Sequence, residues 1–127
     1  MKTLLLAGLA AGALTVLGTS AQAADASHGQ QLFRDQCGVC HSAGDGDGPG
    51  GAGPSLKGVV GRKVGGDASF SYTDVLSGSK ESWSTDNLGT FLADPNKAKP
   101  GTSMPISVKN DTDRADLVAY LASLKGQ

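Results

Sequence analysis

The most reactive side chains of this 127-residue sequence stand together as Cys37-Gly38-Val39-Cys40-His41. Two thiols separated by two residues lie on one side of a turn, so both can add to the vinyl groups along one edge of a porphyrin. His41 then lies beneath the metal, where a ring nitrogen can bind iron. The pattern therefore predicts one covalently attached haem, haem c.

Two other interpretations of these residues compete with haem attachment. A disulfide between Cys37 and Cys40 would resemble a redox C-x-x-C motif, but such a motif normally begins a helix after a strand, and no strand is predicted here. A zinc ion would need four ligands. Only His41 and His28 are available besides the two cysteines, and the adjacent Cys40 and His41 are poorly placed to reach one metal. Haem attachment is favoured.

A haem iron bound by one histidine has a second axial position, and the occupant of that position decides the function. Met104 is the only methionine apart from the initiator, and prolines stand at 100 and 105. These prolines restrict the backbone, so the thioether is presented with little loss of entropy. The alternative is that Met104 fills a gap in the core. With both axial positions filled, no substrate reaches the iron.

The ligand set His41 and Met104 thus predicts an electron-transfer protein and not an enzyme. The competing hypothesis is a peroxidase-like or gas-binding protein with an open sixth position. It would need an acid or base group facing the iron, and the sequence offers no persuasive candidate.

Residues 1–23 have the composition of a secretory signal peptide. Lys2 supplies a positive start, residues 4–17 are apolar, and Ala21-Gln22-Ala23 fits a cleavage site. The apolar stretch is short for a membrane span. We therefore expect export to the periplasm, cleavage near Ala23 and no stable membrane insertion, with an uncleaved anchor as the alternative. Residues 24–127 then form one domain.

The remaining domain is rich in glycine and has few large apolar side chains. A chain of this size and composition buries little apolar surface by itself, and a large flat cofactor would supply the missing core. The sequence has 11 basic and 12 acidic residues, and the signal peptide removes one of the basic ones. This balance does not favour nucleic acid or an anionic membrane as a partner.

Three helices are predicted to position the reactive residues, over 25–36, 84–94 and 111–125. Pro95 is expected to end the second. A loop rich in Gly and Asp spans 42–54, and no segment alternates in the manner of a strand. The fold class is therefore all-α. The expected N-terminal caps are Asp25 or Ser27, Ser84 or Thr85, and Asp111 or Thr112.

Taken together, these motifs resemble the class I c-type cytochromes of the mitochondrial and purple-bacterial kind. The resemblance implies the small cytochrome c fold, with three main helices and long loops wrapped around one covalent haem. It also implies a monomeric carrier that exchanges electrons with quinol–cytochrome c reductase, a terminal oxidase, a photosynthetic reaction centre or a dehydrogenase. The matching residues are Gly29, Phe33, 53–58, 61–63, 70–74, Trp83, 94–95, 100–104 and 114–121.

The same resemblance implies roles for residues around the two axial ligands. The carbonyl oxygen of Pro54 would accept a hydrogen bond from the ring of His41 and hold the imidazole in one orientation. Thr102 would form a hydrogen bond near the haem or Met104. The crossing of the first and last helices is implied to involve Gly29, Phe33, Leu117 and Tyr120.

Three further residues are implied to contact a buried haem propionate. A carboxylate in a low-dielectric site needs hydrogen-bond donors, and Arg62, Tyr72 and Trp83 carry suitable groups. The alternatives are ordinary core packing for the two aromatic residues and a solvated surface charge for Arg62.

The sequence departs from the family pattern near the expected haem edge. Phe91 replaces a tyrosine that often lies near the methionine sulfur, and Ile106 replaces an aromatic residue. Only Lys57, Lys97 and Lys99 remain of a ring of lysines. With fewer charges to steer a partner, docking is predicted to depend less on salt.

Two remaining polar features are interpreted as having no separate function. Asp45 and Asp47 lie in the glycine-rich loop, but the position that a calcium loop reserves for glutamate is Leu56. His28 is expected to be a solvated residue of the first helix.

Overall fold

The computed structural model describes residues 21–44 and 47–125. Within these ranges the regular structure is helical, and the single antiparallel bridge between Lys63 and Ser82 does not extend into a strand. The all-α prediction is confirmed. In chain order the elements are α1 (Ala26–Leu32), a π-helix (Phe33–Cys37), α2 (Asp74–Ser77), α3 (Thr85–Ala93), α4 (Pro95–Ala98) and α5 (Asp111–Ser123).

Most of the predicted signal peptide, residues 1–20, lies outside the described residues, as does Gly126, the expected stop of the last helix. Export therefore stays a prediction. None of the helices in the described ranges combines the length and the apolar character needed to cross a membrane.

The first predicted helix is present, but it changes character halfway. Asp25 caps α1 as expected, because its carboxylate accepts hydrogen bonds from the backbone N–H groups of Ser27 and His28. From Phe33 to Cys37 the backbone widens into a π-helix. The N–H of Gly38 then donates to the carbonyl of Phe33 at 2.7 Å. Such wide turns occur often at functional sites, and this one leads directly into the C-x-x-C-H motif.

The second predicted helix corresponds to α3, and Ser84 is its cap. The Ser84 hydroxyl accepts from the backbone N–H of Asn87, and the Asn87 side chain accepts from the backbone N–H of Ser84. Pro95 does more than end this helix. Asp94 caps a further short helix, α4, in which Pro95 takes the first position, where a missing N–H costs nothing.

Two details of the predicted helices were wrong. Asn110 caps α5, since its side-chain oxygen accepts from the N–H of Asp113 at 3.0 Å, so neither Asp111 nor Thr112 is the cap. The helix also ends at Ser123, short of residue 125. In addition α2 was not predicted, because four residues are too few to show helical periodicity.

The crossing of α1 and α5 is the most extensive helix contact. A Cβ on Gly29 would lie 2.0 Å from the carbonyl oxygen of Asp116, so only glycine allows this approach. Phe33 is fully buried there, with its ring centroid 5.6 Å from that of Tyr120, and Leu117 is buried beside them. The implied crossing is confirmed, and it forms the platform from which the π-helix extends.

Candidate haem-binding site

The attachment motif is a tight turn at the end of the π-helix. The backbone N–H groups of Cys40 and His41 both donate to the carbonyl of Cys37, at 3.0 and 2.9 Å. The two cysteines form no disulfide, and Cys37 is buried while Cys40 is partly exposed. Burial, reinforced by the neighbouring Cys40, raises the pKa of Cys37 to about 11. Before haem is attached, the Cys37 thiol is therefore protonated at neutral pH.

The imidazole of His41 is held in one orientation. Its Nδ1 lies 2.7 Å from the carbonyl oxygen of Pro54. A carbonyl can only accept, so Nδ1 carries the proton and Nε2 keeps a lone pair that can bind a metal. Gly53 lies against the ring, because a Cβ there would approach the imidazole Cε1 to 2.5 Å. The backbone of 53–54 thus contacts the ring on two sides.

Beside this imidazole lies a largely apolar cavity of about 880 Å³, a volume that includes its open mouth. An apolar lining with a few polar groups is typical of small-molecule and cofactor sites. His41 and Met104 both line the cavity, so the structure brings the two predicted axial ligands to one space. All the other predicted site residues except Cys37 line it too, namely Cys40, Pro54, Arg62, Tyr72, Trp83 and Thr102.

Met104 lies in a loop that internal hydrogen bonds support. The Met104 N–H donates to the hydroxyl of Thr102 at 3.4 Å, and the Thr102 N–H donates to the carbonyl of Lys99 at 3.0 Å. Thr102 is buried. Nearby, Phe91 and Trp83 pack with ring centroids 5.1 Å apart, and both line the cavity. The loop geometry therefore presents Met104 in a defined place.

Arg62 and Tyr72 have hydrogen-bond donors to spare. The terminal nitrogens of Arg62 donate to the carbonyls of Ser55 and Lys57, at 2.7 and 3.3 Å. Its Nε is buried and finds no partner in the described part of the chain. The Tyr72 hydroxyl accepts from the N–H of Asp67 at 3.3 Å, which leaves its own proton to donate, and burial raises the pKa of Tyr72. A bound carboxylate would satisfy these donors, so the site fits a haem propionate.

Two polar residues near the site were missed by the sequence reasoning. The hydroxyl of Thr73 is buried without a partner among the described residues. The only sequence feature that could have indicated a role for Thr73 is its position directly after Tyr72. Asp47 is predicted from the sequence to be a loop residue without a separate function, but its side chain is buried and accepts hydrogen bonds from both α1 and α5. Nothing in the local pattern indicates that burial.

The competing zinc interpretation finds no support in the structure. Across 21–44 and 47–125, no three His, Cys, Asp or Glu side chains come together in a way that could hold a metal ion. The remaining candidate ligand, His28, lies 2.8 Å from a carboxylate oxygen of Asp116 at the α1/α5 crossing. Its side chain is 47% exposed, in agreement with the expected surface position.

Comparisons with known proteins find one family over most of the chain. The family model described as "Cytochrome c" matches residues 26–125. The cytochrome c2 of Rhodomicrobium vannielii is 41% identical over 118 residues, covering 91% of this chain and 93% of the relative. The cytochrome c of Tetrahymena pyriformis is 43% identical over 101 residues, covering 79% and 89%.

A solved structure has the same fold. The ferricytochrome c2 of Rhodopseudomonas palustris superimposes with a TM-score of 0.69 at 37% identity, covering 80% of this chain and 99% of that one. Sequence, fold and cavity agree, and the chain belongs to the cytochrome c family.

Proposed function

We propose that this protein is a periplasmic one-electron carrier whose haem is attached through Cys37 and Cys40 and bound axially by His41 and Met104. Membership of the cytochrome c family means that the protein carries one covalent haem c and transfers electrons, and that it is not an enzyme. The haem supplies the one-electron change of its iron. The protein supplies binding, orientation and a dry environment.

One observation carries the axial assignment: His41 and Met104 line the same cavity, and the bond to Pro54 leaves Nε2 of His41 as the free nitrogen. A neutral imidazole and a soft thioether are the ligands of a low-spin haem iron. Because the Pro54 carbonyl holds the His41 ring and the Thr102 hydroxyl holds the backbone of Met104, the ligand set need not move when the iron changes charge. Small movement on oxidation or reduction is what rapid electron transfer requires.

Three donors that line the cavity are proposed to hold a propionate. Arg62 contributes its Nε, which has no partner among the described residues, Tyr72 contributes its hydroxyl proton and Trp83 contributes its indole N–H. Arg62 is itself oriented by the carbonyls of 55 and 57, so its guanidinium is in place before the carboxylate binds. A charge-assisted hydrogen bond to a positioned guanidinium is stronger than one to water.

The location and partners are proposed from the sequence. The signal peptide of residues 1–23 directs the protein to the periplasm, where it acts as a monomer. Its partners are redox proteins of the class implied above, with a quinol–cytochrome c reductase or a dehydrogenase as the electron donor and a terminal oxidase or a photosynthetic reaction centre as the acceptor. Two relatives bear the name cytochrome c2 and come from Rhodomicrobium vannielii and Rhodopseudomonas palustris.

Replacing Met104 tests the proposal most directly. We expect Met104→Leu to retain covalent haem, to lose the near-infrared band of methionine bound to ferric iron, to bind carbon monoxide in the ferrous state and to have a lower reduction potential. Ser107 lies three residues further along the same loop and does not line the cavity, so Ser107→Ala is the control and should change none of these properties. If Met104→Leu had an unaltered spectrum and took up no carbon monoxide, another group would be the ligand.

A further inference from the structure

We propose that Asp47 is a positioning residue for the haem-attachment turn: its buried carboxylate ties the loop that follows His41 to α1 and α5. The proposal rests on the axial role of His41 proposed above. It concerns a residue in the glycine-rich loop, where regular backbone hydrogen bonds are few.

The contacts of Asp47 come from three helical elements. From α1, the side-chain amide of Gln30 donates to one carboxylate oxygen at 3.0 Å. From the following π-helix, Nε of Arg34 donates to the other oxygen at 2.9 Å. From α5, the hydroxyl of Tyr120 donates to the oxygen that Gln30 also contacts. We call these four residues the Asp47 cluster.

The Asp47 cluster is polar but removed from water. The Asp47 side chain is 12% exposed, against 49% for Arg34, whose outer side faces solvent. The hydrogen bonds from Tyr120 and Gln30, together with Arg34, hold the pKa of Asp47 below its usual range. Asp47 is therefore ionised at neutral pH, and an ionised buried carboxylate strongly favours the conformation in which all its donors are present.

The position of Asp47 in the chain transmits this constraint to the attachment turn. The next residue, Gly48, has a φ of +95°, and a Cβ there would lie 2.5 Å from the carbonyl oxygen of Gly38 and 2.7 Å from that of His41. The loop backbone thus packs directly on the turn that carries both thiols. The N–H of Gly50 also donates to the carbonyl of Gly38, at 3.4 Å.

The same loop continues to the residues that orient the imidazole. The N–H of Gly53 donates to the carbonyl of Cys40 at 2.9 Å, and the carbonyl of Pro54 accepts from His41. Ala43 is buried in the core, and the carbonyl of Ser42 accepts from the N–H of Leu56 at 2.7 Å. Between these two ends of the loop, the Asp47 side chain reaches both α1 and α5.

Without the carboxylate, we expect the loop to open locally while the helices remain packed. The bond between Nδ1 of His41 and the Pro54 carbonyl would then form only part of the time. This bond increases the basicity of the imidazole, and a more basic ligand favours ferric iron. Weakening it should therefore raise the reduction potential.

The test compares holoproteins of Asp47→Ala, Tyr120→Phe and the wild type by amide hydrogen exchange and potentiometry. In Asp47→Ala we expect exchange of the Gly50, Gly53 and Leu56 amides to be about tenfold faster, with the amides of α3 unchanged. The potential should rise. Tyr120→Phe removes one hydrogen bond but keeps the charge of Asp47. A rise of the reduction potential in Tyr120→Phe, smaller than that in Asp47→Ala, would therefore come from the lost positioning and not from a lost charge.

Asp35→Ala is the matched control, because Asp35 is an exposed carboxylate next to Arg34. Among the described residues, the side chain of Asp35 accepts a hydrogen bond only from Gln31. This control variant should leave the amide exchange of the loop and the reduction potential unchanged. The proposal would be overturned if amide exchange in Asp47→Ala became faster to the same extent in the loop and in α3, or if exchange in the loop did not become faster. If Asp47→Ala yields no holoprotein, the same criteria apply to Tyr120→Phe. The wild-type axial spectrum separately tests the ligand assignment, so the two failures are distinguishable.

Discussion

The orientation of His41 depends on a neighbour that has no side chain. Gly53 places its backbone against the imidazole, and a Cβ at that position would lie 2.5, 2.8 and 3.0 Å from three ring atoms. Side-chain volume at this one position therefore competes directly with the ring. The following carbonyl, that of Pro54, accepts the Nδ1 proton only while the ring stays where it is.

Gly53→Ala should accordingly displace the imidazole and weaken its bond to iron. We expect a high-spin component in the ferric absorption spectrum and a loss of about 1–3 kcal/mol in the free energy of unfolding, as for other insertions of volume into a packed site. Gly89→Ala is the control, because nothing lies within 4 Å of a Cβ there and residue 89 is inside α3. It should stabilise the protein by about 0.5–1 kcal/mol. If the ferric spectrum of Gly53→Ala matched that of the wild type, the added methyl group would not disturb the bond between the imidazole and iron.

Among the elements, α1 and α5 must cross closely for the attachment turn to be held. Gly29 makes the close approach possible, and Phe33 and Tyr120 pack at the same crossing. The polar partner is Asp116, which accepts from the backbone N–H of Asp25 at 2.7 Å and from His28 at 2.8 Å. Both the close approach of the helices and these polar contacts should contribute to the free energy of unfolding.

Gly29→Ala should separate the two helices, since the backbone carbonyl of Asp116 cannot move out of the way cheaply. We expect a destabilisation of about 3 kcal/mol, at the upper end for overpacking. Denaturant unfolding should show a lower midpoint with an unchanged slope. Retention of the wild-type midpoint would mean that the helices cross further apart than the structure indicates.

The contact between His28 and Asp116 should make stability depend on pH. The hydrogen bond to Asp116, with the nearby charges of Asp116, Asp113 and Asp25, raises the pKa of His28 from its usual 6.5. A raised pKa means that the folded state favours the charged form. The stabilisation is therefore complete below about pH 6.5 and is lost as pH rises through the higher, folded-state pKa.

Unfolding free energies of the wild type and His28→Gln, measured from pH 5.5 to 9 at constant ionic strength, test this dependence. The advantage of the wild type should be largest at the acidic end and should shrink above neutrality. A constant difference across the range would show that the charge of His28 plays no part. Asp116 stays ionised over this range, because His28 and the Asp25 N–H lower its pKa.

On the scale of the whole molecule, charge is absent from two segments that contribute residues to the cavity lining. Residues 36–44 and 100–108 contain no Lys, Arg, Asp or Glu. Within them, Val39 is 72% exposed and Ile106 is 44% exposed, the most exposed large hydrophobic residues of the described chain. Each is next to a residue that lines the cavity, Cys40 and Pro105 respectively. Contact with a partner here would be mainly apolar.

Electron transfer to an isolated terminal oxidase should therefore respond weakly to salt. We expect the second-order rate constant to change by less than about tenfold between low and physiological ionic strength, in contrast to electrostatically steered pairs. Ile106→Ser should lower the rate constant, whereas Lys97→Ser, which removes an exposed charge, should hardly affect it. A steep fall with added salt, or the opposite order of the two variants, would contradict this expectation.

Much of this protein follows from the sequence because its chemistry is local. Cys37, Cys40 and His41 lie within five residues of the chain, and their spacing predicts haem attachment. The caps Asp25 and Ser84 could be predicted for the same reason, since a cap contacts only the next few residues. Met104 stood out because no other methionine was available outside the signal peptide.

Only the tertiary structure decided which polar groups are buried, and what they contact. Asp47 looks like any other residue of a glycine-rich loop until α1 and α5, 17 and 73 residues away through Gln30 and Tyr120, are folded around it. The spare Nε of Arg62 likewise appears only when the carbonyls of 55 and 57 have taken its other nitrogens. Burial results from distant segments packing together, and no local pattern records it.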